Sequence, residues 1–264
     1  MTIRYCSLAS GSSGNCHFLS SGRTRVLVDV GRSMRYIRDA LQQIDEDLGD
    51  IQTVFISHEH KDHVSGLGPL ARRYGFMLAM HKVTYEAIGD QLDGVRQSRI
   101  CLIDAGSFHL DDFEIDAFTL SHDAENTFGF TFSNGPSKIG IATDLGYVDN
   151  AIRKNLEACE LISIDCNYDD DMLENGPYPR VIKERIFSKK GHLSNQNVGD
   201  LLTTLQNNGQ LRSVLLAHMS AENNHPALAL STIKDVMHQS GIFAEKAIKF
   251  EVAKRNSISD LHVL

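Results

Sequence analysis

The sequence contains no apolar run that approaches the roughly 20 residues a membrane-spanning helix needs. Residues 2–6 are also not followed by the long apolar stretch of a secretory signal peptide. These absences argue against a helical membrane protein and against a secreted one. We therefore expect a protein of the cytoplasm that has no membrane partner.

Cysteine is scarce. The five cysteines are Cys6, Cys16, Cys101, Cys159 and Cys166. Their number is odd and no Cys-x-x-Cys pair occurs, which argues against a disulfide framework or a thiolate zinc site. We therefore expect all five to be buried, reduced thiols.

Basic residues are outnumbered in this chain. The 26 lysines and arginines stand against 34 aspartates and glutamates, which gives a formal net charge of −8. This balance argues against nucleic-acid binding that is driven by charge over the whole surface. A local basic groove is compatible with it, and bound divalent metals would reverse the sign of the charge at a site.

Apolar residues make up 42% of the 264 residues and charged residues 23%, as in folded globular proteins. The length suits one large α/β domain, or at most two small ones. Because no linker, repeat or low-complexity stretch interrupts the chain, we predict a single domain over residues 1–264.

Short apolar runs alternate with helical patterns along the chain. The runs that predict strands are 25–30, 53–57, 77–80, 113–120, 128–132, 138–142, 161–164, 213–217 and 248–252. Asn134-Gly135 predicts a hairpin turn, because this pair tolerates positive φ. Amphipathic spacing predicts helices over 33–44, 195–205 and 226–237. Many strands with interspersed helices indicate a layered α/β or α+β sandwich.

Four of the predicted strands are followed at once by a side chain that can bind a metal. The four residues are His58, His122, Asp144 and His218. Strand ends are rigid, and side chains placed there can converge on one edge of a sheet, where the sites of α/β proteins commonly lie. The sequence therefore predicts a metal site at such an edge.

The segment from His58 to His63 has the highest density of candidate ligands. His58 and His60 alternate with other residues, so an extended turn directs both imidazoles to the same side. Asp62 and His63 then begin a predicted helix that runs through residue 71. Imidazoles and carboxylates bind zinc, iron or manganese. One turn therefore offers two pairs of ligands to two neighbouring ions.

This pattern resembles the signature of the metallo-β-lactamase superfamily. Its members have His-x-His-x-Asp-His after a strand and then a His, an Asp and a His at later strand ends, here His122, Asp144 and His218. Asp29, after the strand 25–28, resembles a structural acid that the family places before this motif. The resemblance covers nearly the whole chain and implies an αββα sandwich, in which two mixed β-sheets pack face to face with helices on the outer faces.

Within the superfamily, the chain looks like the YycJ/WalJ branch, whose members are DNA exonuclease-like. The matching segments are 10–15, 121–124, 140–146, 175–179, 191–195 and 222–224. One departure is Tyr168, because that branch often has a His between the residues that here are Asn167 and Asp169. The role of this position is left open.

The resemblance implies a centre with two divalent metal ions. One ion would be held by His58, His60 and His122, the other by Asp62, His63 and His218, and both by the bridging Asp144. Zinc, manganese and iron all accept such ligands, and zinc or manganese is favoured. Two ions about 4 Å apart lower the pKa of a shared water, so that hydroxide forms at neutral pH. Asp62 would have the further catalytic role of orienting this water.

A second candidate group precedes the predicted helix 195–205. His192 lies close to Ser194, a predicted N-cap, and a helix N-terminus favours phosphate. We therefore predict that His192 is catalytic and binds a phosphate oxygen or protonates a leaving oxygen. The predicted substrate-phosphate contacts are Arg180, Lys183, Arg185, Lys189, Lys190 and Ser194. A capping loop at the surface and a solvated helix face would explain the same residues.

The ligand set predicts a metal-dependent hydrolase. The basic segment, His192 and the resemblance favour a phosphodiesterase, specifically an exonuclease-like enzyme with DNA as its substrate. One alternative is a hydrolase of the same fold that cleaves a small ester, thioester or lactone without using the basic segment. Another is a metal-binding regulatory protein with no catalytic activity. The oligomeric state is left open.

Overall fold

The structure is a computed structural model that describes residues 2–206, 210–243 and 248–264. Its strands form two seven-stranded sheets, which we call sheet A and sheet B. Sheet A contains β1 (Ile3–Ala9), β2 (Cys16–Ser21), β3 (Thr24–Val28), β4 (Thr53–Phe55), β5 (Met77–Met80), β6 (Ile100–Leu102) and β14 (His262–Val263). Sheet B contains β7 (Gly106–Leu110), β8 (Phe113–Leu120), β9 (Thr127–Asn134), β10 (Ser137–Ala142), β11 (Leu161–Asp165), β12 (Ser213–Ala217) and β13 (Lys249–Val252).

Both sheets are mixed. Sheet A has the order β14-β1-β2-β3-β4-β5-β6, in which the strands from β3 to β6 are parallel. Sheet B has the order β13-β12-β11-β10-β9-β8-β7, in which the strands from β10 to β13 are parallel. Within each parallel group the carboxyl ends share one edge of the sheet, and that edge is where α/β proteins place their sites.

Helices cover the outer faces of both sheets. The α-helices are α1 (Met34–Gln42), α2 (Lys61–Val64), α3 (Leu67–Arg73), α4 (Lys82–Ala87), α5 (Asn150–Leu156), α6 (Asp170–Asn175), α7 (Arg180–Phe187), α8 (Asn195–Gln206) and α9 (Pro226–Gln239). Short 3-10 turns lie at Leu48–Asp50, Gly89–Leu92 and Gln97–Arg99. None of the helices in the described ranges has both the length and the apolar character needed to cross a bilayer.

Three apolar clusters hold the layers together. Between the sheets, the Phe55 ring of sheet A packs on Phe130 and Phe132 of sheet B, with centroids 5.5 and 5.6 Å apart. A second cluster packs α1 and α3 on sheet A, and a third packs α5, α8 and α9 on sheet B. The layers therefore follow the order helix, sheet, sheet, helix, and the predicted αββα sandwich is confirmed.

The observed elements differ from the predicted ones in a few places. β1 and β2 have no predicted counterpart, because their serines and cysteines obscure the apolar pattern although both strands are almost wholly buried. The helix predicted to begin at Asp62 begins at Lys61 and is interrupted between α2 and α3. Gly66 lies between these two helices. A Cβ at this position would lie 2.1 Å from the Arg32 carbonyl oxygen, so only glycine allows the chain to pass this close to the Arg32 backbone.

All five cysteines are free. Four of them are buried, as expected for small apolar side chains. Cys101 is exposed on the edge strand β6, so the expectation of a buried thiol is wrong at that position.

Candidate metal centre

The loop after β4 carries four candidate ligands from sheet A. His58 precedes α2, His60 is the N-cap of this helix, and Asp62 and His63 lie within it. The rings of His58 and His60 are 4.6 Å apart between centroids, and those of His58 and His63 are 4.1 Å apart. The extended turn and the short helix therefore bring their side chains to one place.

Sheet B carries three more candidates at the ends of its strands. His122 follows β8, Asp144 follows β10 and His218 follows β12. Asp144 and His218 have left-handed backbones, with φ of 60° and 53°, which cost a non-glycine residue about 1–3 kcal/mol each. At His218 the turn is held by hydrogen bonds, since its N–H donates to Ser10 Oγ at 2.8 Å and its carbonyl accepts from Asn167 Nδ2 at 2.7 Å.

All seven predicted ligands lie in one cluster. In each of three overlapping sets, one ligand atom from every member lies within 4.8 Å of the others. The sets are His58, His60 and His122; Asp62, His63 and His218; and His58, His63 and Asp144. Asp144 lies between the first two sets, with Oδ2 3.0 Å from His63 Nε2 and Oδ1 3.8 Å from His122 Nε2. Its carboxylate thus has the position of a bridge.

In two of the candidate histidine ligands, the ring nitrogen Nδ1 has a hydrogen-bond partner. His58 Nδ1 lies 2.9 Å from Ser57 Oγ, and His122 Nδ1 lies 3.1 Å from the Gly191 carbonyl oxygen. Histidines that bind metals usually bond their second ring nitrogen in this way, which fixes the orientation of the ring. The Nε2 atoms of both rings are left to face the cluster.

Asp29 supports the loop that carries the candidate ligands His58 to His63. It lies after β3, is fully buried and has a left-handed backbone, with φ of 60°. Its carboxylate accepts the Ser57 N–H at 2.8 Å and lies 2.7 Å from His63 Nδ1. It therefore fixes both the backbone of the loop and the ring of one candidate ligand, which is the place expected for the structural acid.

The charge states of His58, Asp62 and Asp144 suit metal binding. Burial, reinforced by the neighbouring His63, lowers the pKa of His58 well below its usual value, so the ring is neutral at pH 7. Burial opposes ionisation of Asp144 and Asp62, but His218 and His63 outweigh it and lower the pKa of both carboxyls. Neutral imidazoles and ionised carboxylates are the forms that bind metals. Burial lowers the pKa of His63, but Asp29 and Asp144 outweigh it and raise that pKa well above its usual value, so a metal would have to displace a proton from this ring.

One buried nitrogen tests whether the residues fit a metal. Among the described residues, His58 Nε2 has no hydrogen-bond partner, although an unpaired buried polar atom is costly. The His58 ring lies beside those of His60 and His122, with ring centroids 4.6 and 5.3 Å apart, and one ligand atom of each residue lies within 4.8 Å of the others. Imidazole lone pairs cannot satisfy one another, but a divalent cation accepts them all. The donor set therefore fits a metal ion.

His192 lies against the same cluster. Its ring stacks on that of His218 with centroids 4.9 Å apart, and its Nδ1 lies 2.8 Å from Asp165 Oδ2. Burial disfavours the protonated ring, but the Asp165 carboxylate outweighs burial and raises the pKa of His192 to about 9. The pair can therefore hold a proton beside the cluster at neutral pH.

Asp165 is not among the predicted site residues, although it also lies at the end of a strand, as several of them do. It is the last residue of β11, between β10 and β12, and it is fully buried. Besides His192, it accepts the Leu145 N–H at 3.2 Å. The predicted strand ends at Ile164, one residue too early. An acid at the end of a buried strand was the signal that could have identified it.

A cleft of about 360 Å³ connects the cluster with solvent. His192 lines it, and so do two of the candidate ligands, His122 and His218. Further lining residues come from the region of α7, from the loop after β12 and from two distant segments: Tyr178, Ile182, Arg185, Ile186, Met219, Glu222, Ser12 and Arg255. A molecule that enters the cleft therefore reaches the candidate metal ligands directly.

Comparison with known proteins identifies the fold family. Residues 24–219 match the family model of the beta-lactamase superfamily domain. The chain belongs to the metallo-β-lactamase superfamily. It is 33% identical to the exodeoxyribonuclease WalJ of Streptococcus pneumoniae, over 91% of this chain and 90% of the relative. It is 29% identical to the exodeoxyribonuclease YycJ of Bacillus anthracis, over 94% of each chain. The resemblance to the YycJ/WalJ branch is therefore confirmed.

A solved structure supports the metallo-β-lactamase fold over the full length. The crystal structure of the metallo-β-lactamase fold protein YhfI from Bacillus subtilis matches with a TM-score of 0.72 at 14% identity, over 98% of this chain and 99% of that chain. Membership of the superfamily implies divalent metal ions, and the His/Asp cluster can supply their ligands. The relatives and the superfamily make the chain an enzyme of the hydrolase class, as predicted.

The predicted phosphate contacts are dispersed in this metallo-β-lactamase fold. Arg185 lines the cleft, where it pairs with Asp123. The other four basic residues do not line it: Arg180 pairs with Glu184, Lys183 donates to the Glu174 carbonyl, Lys189 lies over the Tyr147 ring, and Lys190 lines a separate shallow pocket. Arg180, Lys183 and Arg185 lie on α7, whose side chains project in different directions at 3.6 residues per turn, and Lys189 and Lys190 follow its end, so these neighbours in sequence do not form one surface.

Ser194 does not line the cleft either. It is buried, and its hydroxyl accepts the Asn197 N–H at 3.3 Å, so it caps α8 as predicted. The structure thus gives Ser194 a capping role, and its contact with a substrate phosphate stays a prediction.

Gly31→Ala should damage the metal centre through its backbone. A Cβ at Gly31 would lie 1.7 Å from the Asp62 carbonyl oxygen and 2.7 Å from the Asn15 nitrogen. We expect the free energy of unfolding to fall by about 1–3 kcal/mol, as for other overpacked sites, and zinc affinity to fall with it. Urea denaturation and zinc titration measure both. Gly75→Ala, which adds a Cβ in open space, is the matched control; equal behaviour of the two variants would contradict the role of this contact.

Proposed function

We propose that this protein is a two-metal phosphodiesterase that removes nucleotides from the end of a DNA strand. The main support is the placement of two ligand sets around Asp144 beside an open cleft, in a chain whose relatives of nearly equal length are named exodeoxyribonucleases. Zinc or manganese fits the imidazole and carboxylate donors. The five free cysteines support a reducing compartment, and we place the enzyme in the cytoplasm.

Seven side chains would hold the ions. They are His58, His60 and His122 for one, Asp62, His63 and His218 for the other, and Asp144 for both. Two such ions lower the pKa of a water molecule and stabilise charge on a phosphoryl oxygen. Asp62 is the more accessible of the two carboxylates, with 23% of its side chain exposed against 3% for Asp144. It is therefore the one placed to orient the attacking water.

His192 would donate a proton to the leaving oxygen. Breaking the P–O bond places negative charge on that oxygen, and a proton from the ring neutralises it. Asp165 holds Nδ1, so Nε2 is the nitrogen that can reach a substrate in the cleft. The Asp165 carboxylate outweighs burial and raises the pKa of the ring, which favours its protonated form before the transfer. Solvent then returns the proton to the ring.

The cleft supports a strand end as the substrate. Its volume of about 360 Å³ lies near the lower limit for sites that bind small molecules, so it suits a single nucleotide rather than a duplex. Tyr178 and Ile182 offer apolar surface to a base or sugar, and two arginines line the same cleft, Arg185, which pairs with Asp123, and Arg255. Stacking on an aromatic ring beside cationic side chains is how single strands are commonly bound.

The protein loaded with manganese or zinc should release mononucleotides one after another from end-labelled DNA. A panel of single- and double-stranded DNA and RNA, labelled at the 5′ or the 3′ end and resolved on denaturing gels, measures substrate and polarity together. Chelator-treated protein is the control and should leave every substrate intact. Hydrolysis of thioesters or lactones by metal-loaded protein that leaves all nucleic acids uncut would overturn the proposal.

A further inference from the structure

We propose that Arg255, together with the Ser12 hydroxyl, binds a phosphate of the substrate other than the one that is cleaved. This subsite rests on the proposed function, since it assumes a substrate with more than one phosphate. Both residues line the cleft beside the metal ligands. Neither lies in the basic segment of α7, and they are 243 positions apart in the sequence.

Arg255 is held in place beside the metal cluster. Its Nη2 donates to the Met219 carbonyl at 3.0 Å, and Met219 directly follows the ligand His218. Its Nη1 approaches Ser12 Oγ at 3.5 Å, and its Cγ covers Gly11, 3.5 Å from the position of an added Cβ. A guanidinium has five N–H donors, so these contacts orient the group and leave donors for a ligand.

The charge of Arg255 is not neutralised by the protein. Within residues 2–206, 210–243 and 248–264, it has no carboxylate within ion-pair distance, and its side-chain hydrogen bonds go to neutral oxygens. Glu222 lines the same cleft but does not pair with it. By contrast, Arg185 pairs with Asp123. In a chain of net charge −8, an unpaired guanidinium in a cleft attracts an anion.

Arg32 supports the subsite from behind. Its Nη1 donates at 3.0 Å both to the Arg255 carbonyl and to Asn256 Oδ1, and at 3.3 Å to Ser13 Oγ. Its guanidinium lies 4.1 Å from the centre of the Tyr36 ring. Arg32 therefore joins the segment that carries Arg255 to the loop that carries the Ser12 hydroxyl, and adds a second positive charge.

The chemistry of this pair fits a phosphate. A guanidinium presents parallel N–H groups that match two phosphate oxygens, and a hydroxyl adds a further donor. The phosphate can be the internal diester next to the scissile one or a monophosphate at the strand end. Both sources share the same chemistry, and substrates with and without a terminal phosphate distinguish them.

Kinetics on two substrates test the subsite. Arg255→Gln should raise KM for a short single-stranded oligodeoxynucleotide about 10–100-fold with little change in kcat, since a hydrogen bond to a charged group is lost. Hydrolysis of bis(p-nitrophenyl) phosphate, which has a single phosphate, should not change. Arg35→Gln removes the same charge from an exposed position on α1 and should change neither reaction. If removal of the terminal phosphate abolishes the difference between wild type and Arg255→Gln, the subsite binds that group; if not, it binds an internal diester.

The outcomes separate this subsite from the proposed function. An unchanged oligonucleotide KM in Arg255→Gln overturns the subsite, whereas a wild-type protein that cleaves neither substrate overturns the phosphodiesterase itself. If Arg255→Gln melts early or loses metal, Arg255→Lys replaces it, because it keeps the charge but not the planar fork. That variant should raise KM about 3–10-fold, and a KM equal to that of the wild type likewise overturns the subsite.

Discussion

Asp144→Ala should abolish measurable hydrolysis and reduce the metal content. The carboxylate is buried at the centre of the cluster, 3.0 Å from His63 Nε2 and 3.4 Å from His218 Nε2, and lies between both ligand sets. In the proposed centre, its removal would take one ligand from each ion. We expect kcat/KM to fall at least about a thousandfold, or about 4 kcal/mol of transition-state stabilisation. Hydrolysis of end-labelled DNA, with metal analysis of the same sample, measures both effects.

Two further variants show whether the loss of activity comes from the loss of the negative charge at position 144. Asp144→Asn keeps the shape and tolerates the left-handed backbone, so it removes little besides the charge. Asp90→Asn removes the same charge from an exposed position that is not among the candidate site residues, and it should keep full activity. If Asp144→Ala retained more than a tenth of the wild-type activity with its metal content intact, the bridging role would be wrong.

His192→Ala should lower kcat on DNA by a factor of about 10²–10⁴, the usual contribution of a general acid. Metal content should not change, because the seven proposed ligands are untouched. The decisive measurement compares DNA with a p-nitrophenyl ester of thymidine monophosphate. The p-nitrophenolate group leaves without a proton, so its hydrolysis should be almost unaffected by the substitution.

Asp165→Asn tests the same step through the partner of the ring. The amide keeps the size of the side chain but cannot hold His192 in its protonated form. We expect a smaller loss on DNA, about 10–100-fold, as for other outer partners of active-site groups. Equal losses on DNA and on the p-nitrophenyl ester in His192→Ala would show that the ring positions the substrate instead of donating a proton.

The clustering of the candidate metal ligands could be predicted because their spacing is local or tied to strand ends. His58 and His60 alternate in an extended turn, and Asp62 and His63 follow at once in the first turn of α2, so local geometry places the four side chains together. His122, Asp144 and His218 each follow an apolar run that is legible as a strand. Strands of one sheet can bring their ends to a common edge. Prediction of the strands was therefore enough to predict that the residues at their ends lie together.

The substrate side of the cleft could not be predicted in the same way. The density of basic residues predicted substrate contacts on and after α7. Helix geometry turns the charged side chains of α7 in different directions, and of the predicted basic residues Arg185 lines the cleft. Arg255 reaches the cleft through hydrogen bonds to Met219 and Ser12, residues far from it in the sequence. No local pattern records such contacts, because they depend on how the two sheets pack.

Each of the two ligand sets combines residues of both sheets. His122 of sheet B completes the set that His58 and His60 begin on sheet A, and His218 does the same for Asp62 and His63. If these sets hold the ions as proposed, neither half of the chain contains a full coordination shell. The metal-to-protein ratio of a purified sample would then report the fraction of molecules whose two halves have docked correctly, which would make metal analysis an assay of folding as well as of cofactor loading.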